Sequence, residues 1–305
     1  MFGNGEHGLI IKIHSIRTRD SYNRINDKAI LLMNVDLHCH TNLSDGSLAP
    51  KELIKLAIER EIDVLAITDH DNIDCYSQIA PPTDELTLIS GIEFSTTWRN
   101  IGVHIVGLNM DLNNAELLKG IEFQTLARQK RAQLIDEKLN KLGIKGSLEG
   151  AKRFCSGQQV GRPHFAQYLV EIGAVSNFQQ AFKRYLGAGK AGDIKQQWAR
   201  LGEVINWIRG AGGVAVLAHP TKYKMTRTKL CLLLEDFIEL GGEAMEVISG
   251  SQTVSETQSM ARLCKQYNLL ASRGSDFHAP GQPWAALGMA SELPADLVPV
   301  WSKWS

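Results

Sequence analysis

Six of the nine histidines in this 305-residue chain stand among carboxylates at spacings that suit metal binding. The set begins in Asp36-Leu37-His38-Cys39-His40 and continues through Asp45, His70, Glu93, His104 and His219. It closes with Asp276-Phe277-His278. Mixed imidazole and carboxylate donors suit Zn, Mn or Fe, and two or more such ions side by side are a common tool for cleaving phosphate esters. His38 and His40 are two residues apart, so on an extended segment both project to one side. Asp276 and His278 repeat that spacing, and Cys39 then points the other way, into packing. A lone histidine after a strand is usually structural. Two such pairs in one set argue for a shared site.

Seven short apolar segments rich in Val, Ile or Leu must position these residues. They lie at 35–38, 64–68, 87–92, 103–108, 214–218, 244–248 and 269–273. Such runs suit buried parallel strands. Helical patterns separate several of them, at 49–60, 201–210 and 254–267. Strands alternating with helices predict an α/β barrel. Its functional residues belong in the loops after the strands, at one face. The ligand set obeys that rule, with His104 placed at the start of the fourth strand. Asp69 and Asp71 flank His70, and either is a candidate to orient a ligand imidazole.

Residues 111–195 interrupt the alternation without a strand signal. Leu117, Leu118, Ile121, Leu126, Leu134, Ile135, Leu139 and Leu142 recur at helical spacing over 114–142, and Gly143 ends the run. Shorter helices are expected near 163–172 and 177–186, making a helical insertion on the barrel. Residues 1–33 are polar and unlike the rest, which predicts a disordered N-terminal extension; His7 and His14 are excluded from the site on that ground.

Composition narrows the function. Net charge is zero, yet residues 111–200 hold 15 Lys/Arg against 8 Asp/Glu. A basic insertion beside an acidic, metal-binding remainder suits an anionic substrate. No apolar run approaches the roughly 20 residues of a membrane helix, and no secretory signal is visible. Five cysteines without CxxC spacing fit a reducing cytoplasm. Within the insertion, Arg162 offers a planar fork for phosphate and His164 can bind phosphate or protonate a leaving oxygen. Lys190 adds a further substrate-binding cation, and Phe165 or Tyr185 offers a ring for a base. With His164, the carboxylates Glu93 and Asp276 are the candidate catalytic residues.

Asp-Leu-His-Cys-His-Thr…Ser-Asp-Gly, Ala-Ile-Thr-Asp-His-Asp, Gly-Ile-Glu, Leu-Ala-His-Pro and Gly-Ser-Asp-Phe-His occur in that order between about 34 and 300. Together they resemble the PHP (polymerase and histidinol phosphatase) family. The resemblance implies a distorted (β/α)7 barrel with a helical insertion, forming one domain over 34–305, and two or three divalent metal ions, Mn first, with Fe or Zn compatible. It implies one metal on His38, His40, Glu93 and Asp276, and a second on Glu93, His104 and His219. A third would use Asp45, His70 and His278. Some members carry His where this chain has Asp45, which bears on the third metal. The insertion, through Gln197-Trp198, is similar to the branch of nucleoside-3′,5′-bisphosphate phosphatases and 5′→3′ exoribonucleases. Both activities cut the bond to the 3′-phosphate of a nucleotide that carries a 5′-phosphate. The implied partners are nucleotides and 5′-phosphorylated RNA, with no membrane and no obligate protein partner. Competing readings are another phosphomonoesterase such as histidinol phosphatase, a non-catalytic metal-stabilised binding module, and a hydrolase of carbon–nitrogen bonds.

Overall fold

The computed structural model describes residues 33–79, 85–157, 159–194 and 198–304. The expected extension lies outside these residues except for Met33. Seven strands form one sheet in sequence order: β1 (Val35–Cys39), β2 (Val64–Ile67), β3 (Thr87–Trp98), β4 (Ile101–Leu108), β5 (Val214–Leu217), β6 (Ala244–Ser249) and β7 (Leu270–Gly274). Helices α1 (Pro50–Glu59), α6 (Leu201–Gly210), α7 (Arg227–Glu239) and α8 (Val254–Gln266) pack around it. All seven strands and the three barrel helices read from the sequence are present. Helix α7 was not anticipated.

The sheet curls until its ends meet. The His40 amide donates to the Phe277 carbonyl at 2.9 Å, and the Asp276 amide to the His38 carbonyl at 2.8 Å. Asp36 is buried in this seam. One of its oxygens accepts from the Ser275 amide and the other from the Gly288 amide, each at 2.8 Å. Gly274 permits the closure, because a Cβ there would sit 2.3 Å from that of His38.

The expectation of uniformly parallel strands fails at β3 and β4. They pair antiparallel, as do β4 and β5. The turn is Arg99-Asn100, both with positive φ (45° and 66°). Two central residues in that region make the hairpin turn whose twist matches the strands it joins. The reversal explains His104. It lies near the start of β4 yet stands opposite Ser95 towards the end of β3, so it reaches the same face as residues that follow other strands.

The insertion is helical, as the sequence predicts: α2 (Ala115–Lys141), α3 (Ser147–Lys152), α4 (Arg162–Glu171) and α5 (Phe178–Ala181), the last running into a π-turn over Phe182–Leu186. The Asn114 side chain caps α2 by accepting from the Glu116 and Leu117 amides. Gly120 lets α2 approach the barrel, since a Cβ there would meet the Trp207 ring at 2.4 Å. The insertion has its own core around Ile135, Leu139, Phe165, Leu169 and Leu186, separate from the barrel's. Phe165, a candidate for base stacking, is fully buried in that core and unavailable to a substrate. Among the described residues, no helix is long and apolar enough to cross a membrane.

Candidate metal centre and substrate cleft

All nine sequence-selected ligand residues converge at the barrel mouth. Their donor atoms form four overlapping groups: His38/His40/Asp276, His38/Glu93/His219, His70/Glu93/His104, and His40/Asp45/His70/His278. Within each group the atoms lie within 4.8 Å of one another. Glu93, nearly fully buried, joins two groups. Its Oε1 lies 2.7 Å from His104 Nδ1 and 2.8 Å from His219 Nε2, and its Oε2 lies 2.8 Å from His70 Nδ1.

The donors fit metal ions better than they fit one another. Buried polar groups are normally hydrogen-bonded. Here His38 Nε2, both nitrogens of His40, Asp45 Oδ1, His70 Nδ1, Glu93 Oε2 and His219 Nδ1 are buried without a partner of hydrogen-bonding geometry. A buried set of imidazole and carboxylate atoms facing one another is the donor set of Zn, Mn or Fe. His219, Asp71 and Asp276 hold positive φ, of 28°, 50° and 53°.

The electrostatics separate the histidines. Burial pushes His40 down to about 3, helped by the charges of His278 and His70. His278 is driven up to about 10, because Asp45 and then Asp276 outweigh the burial that would lower it. Glu93 is held well below the usual carboxylate range. Burial acts against this, but His70, His104 and His38 prevail.

Three residues that sequence spacing did not reveal, Glu246, Lys222 and Tyr223, complete the surroundings. Glu246 is buried in β6, with Oε1 2.5 Å from His38 Nδ1 and Oε2 accepting from the His219 amide at 2.7 Å. This bond fixes the His38 ring so that Nε2 faces the donor cluster. A lone charge inside Ala244-Met245-Glu246-Val247-Ile248 was the available signal. Asp69 and Asp71 do not play that orienting part. Asp69 accepts from the Thr41 amide and hydroxyl and the Ser44 hydroxyl. Asp71 accepts from the Ser95 amide, Gln124 and Arg128. Lys222 pairs with Asp276, and the Tyr223 hydroxyl receives the His104 amide at 2.9 Å.

The mouth opens into a cleft of about 600 Å³ beneath the insertion. Its far wall carries Arg128, Arg131 and Arg162. Arg131 is pushed down to about 9 by burial and by the charges of Arg162 and Arg128. Three crowded guanidinium groups suit an anion. Arg128 and Arg131 lie against the Trp198 ring, at 5.1 and 5.2 Å. His164 also lines the cleft. Its Nδ1 accepts the Gly161 amide at 2.9 Å, which leaves Nε2 to carry the proton, and burial lowers its pKa. Lys190 is exposed on a turn and is not among the cleft-lining residues, whereas Ala188 of the same turn is.

Comparison with known proteins follows the same lines. The model of the PHP domain matches residues 36–210. A 5′-3′ exoribonuclease of Haemophilus influenzae is 44% identical over 270 residues, covering 88% of this chain and 98% of that protein. A 3′,5′-nucleoside bisphosphate phosphatase of Chromobacterium violaceum is 39% identical, covering 89% and 96%. A solved structure of an amidohydrolase from Chromobacterium violaceum, with bound sulfate and no metal, superimposes with a TM-score of 0.83 at 39% identity. It covers 89% of this chain and 95% of that one.

Proposed function

Because this chain belongs to the PHP domain family, we propose that it hydrolyses the ester to the 3′-phosphate of nucleotides that carry a 5′-phosphate. Its substrates are nucleoside 3′,5′-bisphosphates and 5′-phosphorylated RNA. The observation that carries this reading is one cleft with a metal-ligand cluster on one wall and three arginines on the other. A nucleotide with phosphates at both ends matches that charge pattern.

His38, His40, Asp45, His70, Glu93, His104, His219, Asp276 and His278 would hold two or three divalent ions, Mn foremost, with Fe or Zn compatible. Bound there, the ions supply Lewis-acid charge at the phosphate and lower the pKa of the attacking water. The chain's own groups do the rest. Arg128, Arg131 and Arg162 grip the 5′-phosphate through charge-assisted hydrogen bonds. His164, with its proton on Nε2, hydrogen-bonds the 3′-oxygen as it leaves. Glu246 keeps His38 in the ligating tautomer. The insertion wall keeps bulk water from the far side of the nucleotide.

One PHP domain spans 34–305 in this reading, with 111–195 as its substrate-binding insertion. A reducing cytoplasm suits it, since the five cysteines of the described residues are free thiols. A single assay tests the reading. Protein with Mn is offered adenosine 3′,5′-bisphosphate, histidinol phosphate, and short RNAs with 5′-phosphate or 5′-hydroxyl ends. The expected result is inorganic phosphate from the bisphosphate, and 5′-mononucleotides only from phosphorylated RNA ends. Preference for histidinol phosphate overturns it.

A further inference from the structure

The cleft is one-sided. Its lining comes from the β1 and β2 loops, the β3–β4 hairpin, the insertion, and Lys222 and Tyr223 after β5. Beyond Asp276 and His278 in the ligand cluster at the mouth, no described residue that follows β6 or β7 lines it. If the nucleotide to be released fills this cleft, the remainder of an RNA strand must leave across the β6–β7 rim. The chemistry requires such an exit. Water adds its oxygen to phosphorus, the bond from phosphorus to the first 3′-oxygen breaks, and that oxygen takes up a proton. The phosphate stays on the second nucleotide as the new 5′ end, so that nucleotide lies just outside the cleft during cleavage.

The rim is built from 250–253 and 279–284. Its backbone is fixed beside the centre: the Gly250 amide donates to the Gly274 carbonyl at 2.8 Å, and the Ser251 amide to the Trp284 carbonyl at 2.6 Å. Gly250 allows that approach, because a Cβ there would lie 2.7 Å from the Trp284 oxygen and 3.0 Å from the Ser275 oxygen. The rim therefore adjoins the residue just before Asp276. Neither segment carries a charged side chain, so nothing on them repels a phosphate chain. On it stands Trp284, 62% exposed and the most exposed aromatic among the described residues. Exposed Phe123 and Phe178 pack on Trp207 and Phe182; no ring among the described residues packs on Trp284.

We propose that Trp284 is the stacking platform for the nucleotide downstream of the scissile phosphate, a subsite that RNA occupies and a bisphosphate does not. The inference rests on the function proposed above. An indole face accepts any base, so the subsite confers length preference without sequence preference.

The test compares adenosine 3′,5′-bisphosphate, the 5′-phosphorylated dinucleotide pApA, and 5′-phosphorylated hexaadenylate. Trp284→Ala is expected to raise KM about 10-fold for the dinucleotide and the hexamer, within the range of one lost base stack. It should leave the bisphosphate constants within about twofold, and Trp284→Tyr should restore the loss. A binding readout accompanies the kinetics. Phosphorothioate-linked hexaadenylate with a 5′-phosphate should quench fluorescence of the native protein more than that of Trp284→Phe. Equal losses on all three substrates would mean that Trp284 only supports the Asp276 loop, and unchanged KM for the hexamer would remove the platform; either overturns the proposal. A native protein that cuts none of the three contradicts the parent function instead.

Discussion

At the barrel mouth, nine ligand-type side chains come from six strands and the loops after them, and are packed until many of their polar atoms have no protein partner. Across the cleft, three arginines come from two helices of an insertion with its own core. The first region collects lone pairs for cations; the second collects guanidinium groups for anions. The difference lies in what anchors each wall. The ligands are held by strand backbone and by buried groups such as Glu246. The arginines are held by long side chains: Arg128 reaches across to Asp71, the residue after His70. The ligand set is thus tied to the sheet, whereas the arginine wall hangs on the insertion and touches the mouth through the Arg128–Asp71 pair.

Four experiments press on that contrast. The largest effect belongs to the ligands. Glu93→Gln should lower kcat by about 10³-fold on every substrate, since it removes a carboxylate shared by two donor groups and so weakens the ions that would stabilise charge at the phosphate; kinetics beside metal analysis checks it. If activity survives, the mouth is not the reaction centre. Next is the insertion wall. Arg131→Ala or Arg162→Ala should reduce kcat/KM by about 100-fold for 5′-phosphorylated substrates. Adenosine 3′-monophosphate turnover and bound metal should be unchanged. Loss of metal in these variants would show that the two walls are not separable.

Glu246→Gln should weaken metal binding by about 10- to 100-fold, read by chelator competition, with 5′-phosphate binding intact. The smallest effect concerns pH. In the folded chain His278 stays protonated to about 10, while His40, at about 3, is already neutral. A cation entering beside Asp45 must displace the His278 proton. Its affinity should rise by up to about tenfold per pH unit between 7 and 9, with one proton released on binding. The stability sign runs the other way. His278 is raised above its ordinary 6.5, so its contribution is complete below that value and fades as pH climbs through about 10. A metal affinity flat over this range would contradict the pairing with Asp45 and Asp276.

The strands and the ligand types were legible in the sequence because each strand is a short apolar run and each ligand follows or sits on one. The β3–β4 reversal was not, because Arg99-Asn100 lacks the glycine that usually marks a two-residue turn. Arg128 and Arg131 were hidden for another reason. The leucine spacing of α2 identifies a helix, but which of its polar residues faces the barrel depends on the docking set by Gly120 and Trp207. Phe165 and Lys190 show the same limit: local pattern does not tell whether a side chain packs inward or reaches the cleft. Glu246 alone left a readable trace, an acid in a buried strand.

The seam between β1 and β7 has a consequence for synthesis. His38 and His40 leave the ribosome more than 230 residues before Asp276 and His278, which they must join. A nascent chain that has not yet delivered Gly274 cannot close the ring or gather the full donor set. Contacts so far apart in sequence also form late. With His38 and His40 at the end of the first strand and Asp276 and His278 after the last, the donor set stays incomplete until both ends of the barrel have been made.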